Sequence, residues 1–290
     1  MNSSLPSSAP PFPRPGSSLH YALAAVPSPL RPSLGAWASW WHETAGIPLN
    51  VSDPGVAETK LRWWQREVQE SSQGQPRHPL MKALWTPDAL PPPGRLPAAS
   101  CWQGQLESML TLVHQTRWLD DATLLRHARL TTGLACQGAA SLLGAHSEAA
   151  QQVALELGIG LRLAHQLARL GQDARAGWVN VAIDVLQQYD VKAHQLTRPD
   201  AAHPPAGLPA LLAHLHDRAA QALGLALQDH RQLPPHDMRA LTPLAVLAHI
   251  HLAQMDEIVR QGDRVLRERI VLTPLKKGWI AQKVRWGWLR

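Results

Sequence analysis

Most of this chain reads as helix from its apolar and polar pattern: long segments carry few breakers and little β-branching. Val56 to Ser71 mixes Leu, Trp, Lys, Arg and Glu, 104–117 is similar, and Asp121 to Leu143 is rich in Ala and Leu. Further helices are predicted from Ser147-Glu148 to Leu170, over 208–230, and from Leu241 to Arg269. No sustained alternation and no Asn-Gly turn occurs, so no strand is predicted. Breakers cluster at 86–97 around Pro91-Pro92-Pro93-Gly94, at 198–209, and at Pro234-Pro235. They separate helices without dividing the chain into halves, and no internal repeat is evident. One all-α domain follows, over residues 17–290.

Composition narrows the class. A chain of 290 residues with 45% hydrophobic content can bury a large core. A net charge of +6 is mildly basic, without the dense Lys/Arg pattern of a nucleic-acid binder, so nucleic acid is excluded as a partner. Cys101 and Cys136 are too few and too isolated for a disulfide framework or a thiolate metal site, which suits a reducing cytoplasm. No apolar run approaches the roughly 20 residues that span a bilayer. Residues 1–16 are Ser/Pro-rich, lack the apolar core of a signal peptide, and read as a disordered tail.

The segment Leu161-Arg162-Leu163-Ala164-His165-Gln166-Leu167-Ala168-Arg169-Leu170-Gly171-Gln172-Asp173-Ala174-Arg175-Ala176-Gly177 resembles the second metal-binding helix of squalene and phytoene synthases. That helix runs roughly Gln-Leu-x-Asn-x-x-Arg-Asp-x-x-Glu-Asp-Ala-Arg-x-Gly. Other spaced segments are similar to the same family, particularly its presqualene diphosphate synthase-like members. They are Ser17-Ser18-Leu19-His20-Tyr21-Ala22, Ser52-Asp53-Pro54-Gly55 with the following Trp63-Trp64, His78-Pro79, Gln115-Thr116-Arg117-Trp118-Leu119-Asp120, and Arg264 to Ile270 followed by Leu272-Thr273-Pro274. The resemblance implies the isoprenoid synthase fold, a single helical domain around a central cavity, and isoprenoid biosynthesis ancestry.

The departures bear on chemistry. The family's first metal helix carries Tyr-x-x-x-Arg-x-x-Asp-Asp-x-x-Asp. Here Ala45, Gly46 and Leu49 replace the three carboxylates, and His42 takes the place of the diphosphate-binding Arg. Pro48 is expected to break that helix, at roughly 3 kcal/mol in a helix interior. In the second motif Arg169 stands for the leading Asp, Gln172 for an acidic neighbour, His165 for an Asn and Arg162 for a Gln, leaving Asp173 alone. Magnesium needs near-octahedral oxygen ligands anchored by carboxylates, so no catalytic residue is assigned and no cofactor is expected, magnesium entering only where Asp173 retains a site.

On one helix Arg162, His165, Arg169 and Asp173 fall at i, i+3, i+7 and i+11, a continuous face of positive character. Two readings stand. Arg162, Arg169 and Arg175 hold an anion such as a prenyl diphosphate without metal, as guanidinium recognises phosphate in a fork. Alternatively Arg169 and Asp173 form an ordinary i,i+4 pair. Ser18 and Tyr21 are further candidates to line a substrate pocket, or pack helices. The pairs His214/His216 and His249/His251 are spaced i,i+2 and make poor metal pairs; His251 lines a cavity or is a satisfied core histidine. Cys136 has no pattern supporting a nucleophile.

From Lys276 to Arg290 the chain carries five positive charges, no acid, and three interleaved Trp. This suits a peripheral contact with an anionic membrane, or a closing helix packed on the domain. Two function classes result: a protein binding a prenyl diphosphate or isoprenoid lipid with magnesium-dependent transfer lost or weak, and a non-catalytic assembly protein acting on a protein partner, similar to the mitochondrial complex I assembly factor that resembles this family while lacking its aspartates.

Overall fold

The computed structural model describes residues 13–86, 90–115 and 117–289; most of the Ser/Pro-rich tail, Thr116 and Arg290 lie outside the described residues. The chain folds into fifteen α-helices among those residues. They are α1 Ser18–Leu23, α2 Arg31–Asn50, α3 Pro54–Ser72, α4 Pro79–Trp85, α5 Ala99–His114, α6 Asp121–Ala128, α7 Leu134–Leu142, α8 Glu148–Ala168, α9 Leu170–Arg175, α10 Ile183–Gln188, α11 Ala193–Thr197, α12 Leu208–Gln232, α13 Pro235–Ala240, α14 Thr242–Gln261 and α15 Pro274–Arg285. Among the described residues no strand forms, and the one β-bridge is Arg117 with Val179.

The segments that carry the family resemblance turn out largely to start helices. Asp53 accepts from the Val56 amide and Pro54 opens α3; the His78 imidazole accepts from the Leu80 amide and Pro79 opens α4; Asp120 accepts from the Thr123 amide before α6; Thr273 accepts from the Lys276 amide and Pro274 opens α15. Each cap satisfies an orphan N–H, and each Pro occupies a position that needs no donor. Buried Glu67 ties down the turn before α4, accepting from the amides of Arg77 and His78 at 2.8 and 2.7 Å.

α8 runs through the middle, packed by α12, α14 and α7. Its glycines permit the approach. A Cβ at Gly158 would sit 2.3 Å from the Thr132 carbonyl oxygen, and one at Gly160 would sit 2.7 Å from Leu223. The stretch 121–142 is not one helix, because a π-helical turn at Arg129–Gly133 separates α6 from α7. Likewise α14 stops at Gln261, where Gly262 adopts a φ of 59° and a 3₁₀ turn, Gly262–Leu266, follows.

The helix expected to break at Pro48 does not. α2 continues to Asn50 with Pro48 inside it. Pro48 lies in the last turn, so one intrahelical bond is lost near an end that closes through the Val51 amide to the Ile47 carbonyl. Between α2, α5 and α7 the interior is filled by indoles: Trp37 stacks on Trp40 at 5.2 Å, and Trp102 sets its edge against both at 4.6 Å. The Trp37 Nε1–H donates to the Ala135 carbonyl at 2.8 Å.

Candidate functional site

The last turns of α8 bring Arg162 and His165 to one side of the bundle, and α9 adds Asp173. The helix does not run straight through this segment. Arg169 leaves helical geometry at φ −113°, ψ 7°, and α9 starts anew after it. The cause lies across the packing: a Cβ at Gly171 would meet the Leu266 backbone at 2.3–2.5 Å, so α9 abuts the 262–266 turn as only glycine permits. Despite the bend, the Asp173 amide still donates to the Arg169 carbonyl at 2.8 Å.

The side chain of Asp173 is fully engaged. Its Oδ1 accepts from Arg169 Nε at 2.9 Å and lies 2.7 Å from Nη2, while Oδ2 accepts from Asn180 Nδ2 at 2.8 Å. The i,i+4 pair is therefore present, reinforced by a third residue. Arg175 is held by the backbone carbonyl of Leu266, to which its guanidinium donates.

Around this pair stand cations with little to balance them. Burial and the neighbouring Arg169 and Arg14 lower the Arg269 pKa, and burial and Arg269 lower that of Lys277. Lys277 is buried, its ammonium donating to the Gly16 carbonyl at 3.1 Å. Arg162 is lowered first by burial, with Asp173 opposing and Arg169 assisting, and its Nε is buried without a hydrogen-bond partner. The exposed His42 on α2 is lowered by partial desolvation and then by Arg14 and Arg169, which places it near the same group.

Two imidazoles complete the inner side. His251 of α14 is buried and meets His165 edge to face at 4.7 Å, its Nδ1 without a partner. Burial, then Lys277 and Arg269, push His251 down to about 4. Burial, then His251 and the surrounding arginines, hold His165 well below its ordinary value. Both are neutral at pH 7, so the positive charge belongs to the arginines and Lys277.

Ser18 and Tyr21 sit apart in role. α1 packs on α14 and α15, and Tyr21 lies against Gly278 in an open groove of about 530 Å³ shared with Pro274, Leu275 and Trp279. Ser18, half-buried, is in the first turn of α1. A second groove of about 530 Å³ runs between α2 and α3, lined by Gly46, Ile47, Thr59, Trp63, Trp64 and His78 among others. It occupies the side of α2 on which Gly46 replaces a carboxylate. Sequence reasoning missed Arg14, Arg269 and Lys277. Arg269 falls in a segment legible as a family element, and Lys277 in a basic run legible as surface, so neither carried a signal of its own.

Magnesium does not fit these residues. Among the described residues no three His, Cys, Asp or Glu side chains gather to hold a metal ion. Asp173 is the carboxylate retained, and both its oxygens are engaged. Neither cysteine is poised as a nucleophile: burial pushes Cys136 up to about 12 and Cys101 to about 11.

The sequence profile of squalene/phytoene synthases matches residues 12–276. The chain belongs to that family. Its fold agrees with solved structures at low identity. A dehydrosqualene synthase in complex with ligand superposes with a TM-score of 0.77 at 16% identity, over 93% of this chain and 91% of the other. Squalene synthase HpnC from Alicyclobacillus acidocaldarius gives 0.61 at 14%, over 83% and 98%. YisP from Bacillus subtilis gives 0.62 at 16%, over 91% and 89%. No curated protein sequence matches the chain significantly. Among the described residues no helix is long and apolar enough to cross a membrane.

Proposed function

We propose that this squalene/phytoene synthase-family protein binds a prenyl diphosphate through cationic side chains in place of magnesium, with metal-dependent prenyl transfer lost or weak. The observation that carries this reading is the cluster itself. Arg14, Arg162, Arg169, Arg269 and Lys277 crowd closely enough to lower one another's or a neighbour's pKa, with Asp173 as their counter-charge. Such repulsion is unfavourable unless an anion offsets it, and a buried guanidinium N–H without an acceptor costs roughly 1–3 kcal/mol. A diphosphate supplies both the charge and the acceptor oxygens, and arginine is suited to take them. The dehydrosqualene synthase of the same fold, solved with ligand, supports a ligand-binding ancestry.

Thermal denaturation with farnesyl or geranylgeranyl diphosphate tests the reading. Stabilisation should be equal with magnesium and with a chelator, about 2.7 kcal/mol at a hundredfold excess over Kd. It should be lost in Arg162→Gln/Arg269→Gln. Product formation that stops on chelation overturns the reading. Absence of stabilisation by either diphosphate leaves the non-catalytic assembly role, through protein contacts, in its place.

A further inference from the structure

α15 has two apolar faces. Ile280, Ala281 and Val284 turn inward beside the buried Lys277, packing on or near α1 and α14. On the other side Leu275, Trp279 and Trp286 recur at i, i+4 and i+11, one stripe of the helix. That stripe is open: Leu275 is 86% exposed, Trp279 50%, Trp286 51%, and Trp288 beyond the helix end 65%. The three indoles touch one another, with centroids 6.0, 6.3 and 4.8 Å apart, so they form one patch rather than scattered side chains. A contiguous exposed aromatic patch of this kind marks a contact surface.

Its charge says what it contacts. No acid follows Glu268 in the sequence. Lys283 holds its ammonium 5.3 Å from the Trp279 ring centroid, and Lys276 and exposed Arg285 flank the same stripe. Glu257, which Lys276 approaches, is already paired with Arg260 at 2.9 Å. Indole is the side chain that settles at the headgroup level of a bilayer, and Lys/Arg beside it add electrostatic attraction to anionic lipid.

We infer that the Trp279–Trp286–Trp288 face of α15, with Lys276, Lys283 and Arg285, docks on the surface of an anionic lipid bilayer. The inference stands apart from the prenyl-diphosphate reading, since none of these residues belongs to the cationic cluster. The inner face of the same helix does supply Lys277 to that cluster, so docking sets the cluster within roughly one helix diameter of the lipid.

Sedimentation of the full chain with vesicles tests this, using phosphatidylcholine alone or with phosphatidylglycerol in equal parts. Binding is expected to the mixed vesicles and to weaken as salt rises. The variant Trp279→Ser/Trp286→Ser/Trp288→Ser should partition roughly tenfold less. Lys276→Glu/Lys283→Glu/Arg285→Glu leaves the apolar contacts in place and should abolish the preference for phosphatidylglycerol, which keeps the test decisive if the first variant does not fold. Failure of the unaltered chain to bind mixed vesicles overturns the inference. So does binding that both variants retain, or a dimer in solution that the Trp variant dissolves.

Discussion

Asp173 sits between two donors, Arg169 and Asn180, and its charge serves either that contact or a metal. Asp173→Asn separates the two uses at nearly constant volume. The amide presents an NH₂ where one of these donors expects an acceptor, so melting should show a loss of roughly 1–3 kcal/mol. At the same time the cluster of Arg14, Arg162, Arg169 and Arg269 loses its carboxylate, and pyrophosphate, measured by calorimetry without magnesium, should bind severalfold tighter. Weaker pyrophosphate binding in this variant, with magnesium dependence in the parent, would instead make Asp173 a metal ligand. A second contrast concerns Arg175, whose guanidinium is held by the Leu266 carbonyl. Arg175→Gln should therefore lower stability while leaving pyrophosphate affinity within about twofold of the parent.

Among the helices, two glycines predict opposite signs. Gly171→Ala drives a Cβ to 2.3–2.5 Å from the Leu266 backbone, atoms that cannot swing aside. Forced apart, α9 and the 262–266 turn should cost on the order of 2 kcal/mol or more in chemical denaturation. Gly224 is exposed within α12 and a Cβ there meets nothing within 4 Å. Gly224→Ala should add roughly 0.5–1 kcal/mol by relieving the helical cost of glycine. The contrast also shows what the sequence could disclose. Helix existence was legible from breakers and composition, and the family segments were legible because Asp53-Pro54, His78-Pro79 and Thr273-Pro274 are local caps whose physics lies within four residues. The bend at Arg169 and the survival of α2 past Pro48 were not legible, because the first depends on Leu266, ninety-odd residues away, and the second on how near the proline falls to the helix end. For the candidate site, the pair Arg169–Asp173 could be read at i,i+4 spacing, whereas Arg14, Arg269 and Lys277, far from it in sequence, come near it only through the tertiary fold.

Taken as a whole, the molecule keeps several imidazoles neutral inside a basic protein, and that sets its response to acid. His127 is held down to about 3 by burial and by Arg162, with its Nδ1 2.7 Å from Ser108 Oγ. His251 is held at about 4, and His165 well below 6.5. In the unfolded chain these side chains take up protons as pH falls through 6.5, while in the folded state His251 does so only near 4, His127 only near 3, and His165 well below its ordinary value. The unfolded state thus binds more protons in that interval, and stability must fall as pH is lowered from 6.5 toward 4. The drop should amount to roughly 5 kcal/mol or more, on the order of 1 kcal/mol per pH unit for each buried imidazole. Melting temperatures across the interval measure it. His251→Gln should flatten the slope by about one group's share. Pyrophosphate should flatten it in part: burial is the main cause that keeps His165 and His251 unprotonated, and an anion beside Arg162 and Arg269 offsets only the cationic field that adds to it. A slope that pyrophosphate leaves untouched while His251→Gln reduces it would place the anion away from these imidazoles; a slope absent altogether would mean that they are solvated and titrate as in the unfolded chain.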